Sequence, residues 1–144
     1  MRGSTSPVRV CLNAAAADDP FIAGRAKTLL VVEDDVLTRY AVCDALRYAG
    51  YTVLEASSLV DSSSILSTLA VDLVFLDLNI PGEGEGLAVA RLAREHYPGV
   101  KIIFTSGRVP ARLRDSLDGP FIPKPYLISR VVRLIRQRLA DGIE

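Results

Sequence analysis

Apolar residues along this chain fall into short unbroken runs separated by longer stretches of helical periodicity. The clearest run is Leu73-Val74-Phe75-Leu76, which leads into Asp77-Leu78-Asn79-Ile80-Pro81-Gly82. A run without polar alternation marks a strand buried on both faces, as in a parallel sheet covered by helices. Thr28 to Val32 reads the same way and ends in Glu33-Asp34-Asp35. Lys101 to Phe104 ends in Thr105-Ser106-Gly107, and the stub Phe121-Ile122 runs into Pro123-Lys124-Pro125. Tyr51 to Ala56 is a further short strand.

Between these runs the period changes. Val36 to Ala49 places Leu37, Ala41, Ala45, Leu46 and Ala49 at helical spacing, and Gly50 stops it. Ser57 to Ala70 predicts a weaker helix, because Ser62-Ser63-Ser64 lower its propensity. Leu87 to His96 predicts a third helix, closed by Pro98-Gly99. Pro110 to Leu117 has room for about two turns before Gly119-Pro120. Tyr126 to Ala140 is amphipathic, with Leu127, Ile128, Val131, Val132, Leu134, Ile135 and Leu139 in a wide apolar stripe. Arg130, Arg133 and Arg136 share its other side, as a solvated face or a docking patch. Strands alternating with helices imply right-handed βαβ units. The expected fold is α/β, a doubly wound five-stranded parallel sheet in the flavodoxin-like order 2-1-3-4-5, with helices on both faces.

Composition narrows the picture. The 144 residues are 49% hydrophobic, enough for one domain with a core. Seventeen basic residues balance seventeen acidic ones, so no global field favours nucleic acid or an anionic membrane. Cys11 and Cys43 are too few for a disulfide framework, Cys43 falls in a helical pattern as core, and a reduced cytoplasmic setting is expected. No apolar run approaches the roughly 20 residues that span a bilayer. Residues 1–26 lack periodicity and are expected to form a disordered extension, with Met1-Arg2-Gly3-Ser4 resembling a cloning leader. The domain proper is expected over 27–140, with a short tail at 141–144.

In open α/β sheets, ligands bind at the carboxyl ends of the strands. Here those ends bring Glu33, Asp34, Asp35, Asp77, Thr105, Ser106 and Lys124 to one edge. Clustered carboxylates repel one another unless a cation sits among them. Oxygen ligands without Cys or His suit Mg²⁺. Mg²⁺, an ammonium and a hydroxyl can together hold a phosphoryl group, which makes Asp77 a candidate nucleophile.

These motifs resemble the receiver domains of two-component response regulators, the CheY-like domains, over about residues 27 to 140. The resemblance rests on Leu30-Val31-Val32-Glu33-Asp34-Asp35, Asp77-Leu78-Asn79-Ile80-Pro81-Gly82, Thr105-Ser106-Gly107 and Lys124-Pro125-Tyr126, in that order. It implies that Asp77 is the phosphoacceptor. Asp34 would ligate Mg²⁺ directly, with Asp77 also in the metal set, Glu33 acting through water and Asn79 through its backbone carbonyl. Thr105 would be the hydroxyl that moves onto the phosphoryl group, Lys124 its ammonium partner and Phe121 the aromatic switch. The Lys124-Pro125 peptide would be cis. Two features depart from the family pattern. The loop Gly82 to Gly86 is about one residue longer, and the span from Thr105 to Lys124 is a few residues shorter.

The bland readings are separate. Asp35 reads as a helix N-cap, Ser106 as a small residue for close approach, and His96 as a surface residue. Glu83 and Glu85 read as solvated loop charges. The combined expectation is a Mg²⁺-dependent phosphoryl switch, not an enzyme in the ordinary sense. It would take phosphate from a sensor histidine kinase or histidine phosphotransfer protein. No DNA-binding module follows the last helix, so its output would be contact with a downstream protein, with a homodimer as a further partner. Three rivals remain: a phosphate-independent adaptor, a fragment of a longer regulator, and an aspartyl phosphohydrolase. The last wants a second Asp where this chain has Asn79.

Overall fold

The computed structural model describes residues 26–141. The expected extension up to residue 25, with Cys11, and the end of the tail lie outside them. The strands are β1 (Thr28–Val32), β2 (Thr52–Ala56), β3 (Leu73–Asp77), β4 (Lys101–Ser106) and β5 (Phe121–Pro123). The helices are α1 (Val36–Tyr48), α2 (Leu59–Leu66), α3 (Glu85–His96), α4 (Ala111–Asp115) and α5 (Ile128–Ala140). All strand pairs are parallel in the order β2-β1-β3-β4-β5, as the alternation predicts.

β3 lies at the centre and every one of its five residues is buried, which explains its unbroken apolar run. Alternate side chains of each strand enter opposite faces. Leu30, Val32, Val74, Leu76, Ile102 and Phe104 pack under α2 and α3, with Leu66, Val89 and Ala93. Leu29, Val31, Leu73, Phe75, Ile103 and Ile122 meet Val42, Cys43 and Leu46 of α1 and Val131, Ile135 and Leu139 of α5 on the other face. Burying one such side chain contributes about 2 kcal/mol, so the sheet is clamped from both sides. Of the wide stripe on α5, only Val131, Ile135 and Leu139 are fully buried, and Arg130, Arg133 and Arg136 are exposed.

Helix limits differ from the periodicity at identifiable places. α2 is shorter than the expected 57–70. Ser58 caps its start by accepting from the Asp61 N–H at 3.1 Å. At its end, the Tyr97 hydroxyl lies 2.8 Å from the carbonyls of both Leu66 and Leu69. A carbonyl released at a helix terminus needs a donor, and the single O–H of Tyr97, the residue that caps the end of α3, is placed to serve either one. α3 begins at Glu85, two residues early, because Gly84 takes a left-handed conformation (φ 73°) and serves as its N-cap. Glu85 is therefore a first-turn helix residue, not a loop charge. Gly86 is needed for close approach, since a Cβ there would meet the Leu78 carbonyl oxygen at 2.7 Å. α4 has five residues, shorter than the two turns expected, and none is buried. No helix among the described residues is long and apolar enough to cross a membrane.

Candidate functional site

The parallel order carries β1, β3, β4 and β5 to the same edge, and their ends deliver the charged residues. Asp77 closes β3 in register with Thr105 on β4. Asp77 is 2% exposed and Glu33 3%, whereas Asp34 is exposed. Carboxylate oxygens of Glu33, Asp34 and Asp77 all lie within 4.8 Å of one another. Lys124, two residues past Ile122 of β5, reaches across the edge. Its Nζ donates to Asp77 Oδ2 at 2.8 Å and to Glu33 Oε1 at 2.7 Å. The Lys124-Pro125 peptide is cis.

Each carboxylate is engaged differently. Glu33 accepts from Lys124 on one oxygen and from the Asp35 N–H at 3.0 Å on the other. Asp77 Oδ1 accepts from the Asn79 N–H at 2.8 Å. Asp35 turns away and caps α1, accepting from the Thr38 N–H at 2.9 Å and the Thr38 hydroxyl at 2.6 Å. Those two bonds hold the Asp35 carboxyl below its ordinary value. Asp35 is the N-cap that its position predicts, and Asp34 keeps its oxygens free of protein hydrogen bonds among the described residues.

Burial pushes Glu33 up, and the charge of Asp77 adds to it, against the bonds from Lys124 and Asp35. Burial also acts against the Lys124 ammonium. Its hydrogen bonds to Asp77 and Glu33, with their charges, outweigh that penalty and raise it above its ordinary value. Three carboxylates against one ammonium leave two negative charges at the edge when all are ionised. That charge and the all-oxygen donor set fit a hard divalent cation such as Mg²⁺.

Thr105 Oγ1 is buried and has no hydrogen-bond partner among the described residues. Buried hydroxyls are normally paired, so this one is a donor without an acceptor beside the Asp77 strand end. Ser106 does more than allow close approach. It is buried, and its hydroxyl faces Asn79 Oδ1 and the Arg108 carbonyl while accepting from the Arg108 N–H at 3.0 Å. It thereby ties the loop after β3 to the loop after β4. Its place beside Thr105 at a strand end was the signal for it.

Other expectations fall away from this edge. His96 is exposed at the end of α3, with its ring against Tyr97. Glu83 is exposed in its loop, and Cys43 is core, its thiol pushed up to about 12 by burial. Phe121 is half-buried under the Arg114 guanidinium, 5.9 Å from its ring centre.

Comparison with known proteins identifies the family and the fold. Residues 29–118 match the family described as response regulator receiver domain. The chain is 33% identical over 118 residues to the sensor kinase CckA of Brucella abortus, covering 78% of this chain and 12% of that protein. It is 30% identical over 117 residues to the response regulator receiver protein CpdR of the same organism, covering 78% of this chain and 97% of that one. A response regulator receiver protein from Sinorhizobium medicae superimposes with a TM-score of 0.73 at 27% identity, over 83% of this chain and 98% of that structure. The chain spans a third or less of the first curated relatives it matches. With the family match over most of the fold and a relative covered almost end to end, the chain belongs to the response regulator receiver domains of two-component signalling.

Proposed function

We propose that this domain accepts a phosphoryl group on Asp77 from a phosphohistidine donor and signals by protein contact. The observation that carries this is the pair of groups flanking Asp77: an ammonium already at 2.8 Å and a buried hydroxyl with no partner among the described residues. In the transfer, an Asp77 oxygen attacks phosphorus, a P–O bond forms, and the P–N bond to the donor imidazole breaks. The products are an acyl phosphate on Asp77 and a free imidazole. Lys124 and the Thr105 hydroxyl then donate to phosphoryl oxygens. Asp34 and Asp77 would hold Mg²⁺ directly, Glu33 through water and Asn79 by its carbonyl. The ion would draw charge from the phosphoryl oxygens.

Asp77 lies below the surface, so the donor must dock on what surrounds it. Val36, Leu37 and Tyr40 on α1 and Leu127 before α5 are exposed apolar residues. A groove of about 640 Å³ runs from Leu37 and Ala41 to Lys124 and Tyr126, continuous with the site. A histidine-bearing helix from a sensor kinase or phosphotransfer protein fits that apolar border.

The test is incubation with acetyl phosphate or a cognate kinase and Mg²⁺, read by intact-protein mass spectrometry and peptide mapping. One added phosphoryl group, absent in Asp77→Asn, is the expected result. Labelling on His96, or undiminished labelling of the Asn variant, overturns the assignment.

A further inference from the structure

The β1–α1 turn that carries Glu33 and Asp34 is held from behind by a residue outside the acidic edge. Arg39, one turn into α1, donates from its Nη1 to the Glu33 carbonyl at 2.8 Å. Its Nε donates to Glu55 Oε1 at 3.0 Å. Glu55 is the one outward-facing charge of β2, and its second oxygen is taken by Arg47 at 3.1 Å. Arg47 is itself fixed by the Val53 carbonyl at 2.8 Å. The Glu33 N–H completes the ring by donating to the Ala56 carbonyl at 3.0 Å. Both main-chain polar groups of Glu33 are thus anchored to β2, one directly and one through Arg39 and Glu55.

A pair of exposed charges contributes little by itself. Arg39 differs because its guanidinium is mostly covered and divides its donors between a side chain and the backbone of a site residue. A planar fork with fixed donors suits that task, and an ammonium on a flexible stem does not. The need for an anchor is also visible. Glu33 is buried beside Asp77, and repulsion among the three carboxylates favours opening the turn that carries two of them.

We infer that Arg39, oriented by Glu55, is a positioning residue that holds the Glu33–Asp34 turn in its cation-binding arrangement. This rests on the divalent-cation reading of the acidic edge. The sign of the effect separates positioning from simple charge. Arg39 is cationic, so if only its field mattered, removing it would tighten cation binding. If it positions the turn, removing it loosens binding.

The test is calorimetric titration of the whole chain with Mg²⁺, and with Mn²⁺ as a second probe, alongside thermal unfolding without metal. Arg39→Gln should weaken binding by about tenfold, the low end for partners that orient metal ligands. Arg39→Lys keeps the charge but loses the fork, and should weaken binding nearly as much. Glu55→Gln should act in the same direction, and the double variant Arg39→Gln/Glu55→Gln should be no worse than Arg39→Gln alone. Unchanged or tighter binding in Arg39→Gln, full rescue by Lys, or additive losses in the double variant would each overturn the inference. Absence of Mg²⁺ and Mn²⁺ binding in the unaltered chain would overturn the cation reading and this inference with it. Amide shifts of residues 33–35 in metal-free Arg39→Gln give a readout without the ion. They should move, and if they coincide with those of the unaltered chain the anchor is not Arg39.

Discussion

Lys124 Nζ lies 2.8 Å from Asp77 Oδ2, and the same ammonium reaches Glu33 Oε1 at 2.7 Å. One ammonium thus bridges two buried carboxylates contributed by two different strand ends. Lys124→Met should leave both without a cationic partner and cost about 2 kcal/mol at neutral pH. That is below the range for fully buried pairs, because a quarter of the Lys124 side chain is exposed. The loss should shrink on acidification as Glu33, whose carboxyl burial raises above its ordinary value, takes up a proton. Urea unfolding of both chains across acid pH measures it, and an equal loss at all pH values would exclude the electrostatic cause.

The alkaline side has its own signature. Burial pushes the Cys43 thiol from 9.0 up to about 12 and the Tyr126 phenol from 10.0 up to about 12. Lys124 is also raised from 10.5. In each case the unfolded chain releases its proton first, so stability is fully present below the unfolded value and lost as pH rises through the folded one. Stability should therefore fall from pH 9 upward, with Cys43 acting first. Cys43→Ala should remove the part of the decline between 9.0 and 10.0. Denaturant unfolding at alkaline pH checks this, and parallel declines in both chains would assign the loss elsewhere.

Asp34 and Asp35 are adjacent carboxylates with different tasks. Asp35 accepts twice from Thr38 as the cap of α1, while Asp34 makes no protein hydrogen bond among the described residues. Asp34→Ala should abolish Mg²⁺ binding and phosphoryl labelling with little effect on unfolding. Asp35→Ala should lower the unfolding temperature and spare most of the labelling. Calorimetry and thermal unfolding separate the two, and equal effects on Mg²⁺ would contradict the division.

Much of this site was legible in the sequence because strand ends in a parallel sheet share one edge. Once Leu73–Leu76 reads as the central strand, Asp77, Glu33, Thr105 and Lys124 must converge. Asp35 as a cap and Cys43 as core were equally readable from position. What escaped depends on contacts between distant segments. α2 ends where Tyr97 reaches its carbonyls, and no local propensity at Ser67 or Thr68 announces that. The start of α3 is set by the backbone angle at Gly84, and Glu85 went with the loop because Gly82 to Gly86 reads as one flexible stretch. Arg39 and Glu55 look like ordinary surface charges until the side chains are placed.

The Thr105 hydroxyl is buried without a partner among the described residues, and such a group costs stability until it finds one. Thr105→Val replaces it with a methyl of similar shape and should stabilise the resting fold by about 1 kcal/mol. The same variant should lose the amide shifts that a beryllofluoride phosphate mimic induces beyond Asp77. Chemical unfolding and two-dimensional NMR read the two effects. Destabilisation of the Val variant would mean that the hydroxyl already has a partner in solution.

The last relationship concerns output. Phe121 is half-buried at the start of β5, covered by the Arg114 guanidinium, and α4 has no buried residue to fix it in place. Phe121 also lacks a hydroxyl, so its resting position costs no side-chain hydrogen bond to leave. An element held this lightly can take a second packing when Thr105 moves toward a phosphoryl group on Asp77. Beryllofluoride with Mg²⁺ should therefore shift amides around Thr105, across residues 108 to 121 and along α5. Arg114→Ala removes a cation–π contact worth about 0.5 kcal/mol, and should raise beryllofluoride affinity about twofold by freeing the ring. Shifts confined to Asp77 and the acidic turn, with Phe121 silent, would place the output route elsewhere. Weaker beryllofluoride binding in Arg114→Ala would mean that Arg114 supports the activated packing instead of the resting one.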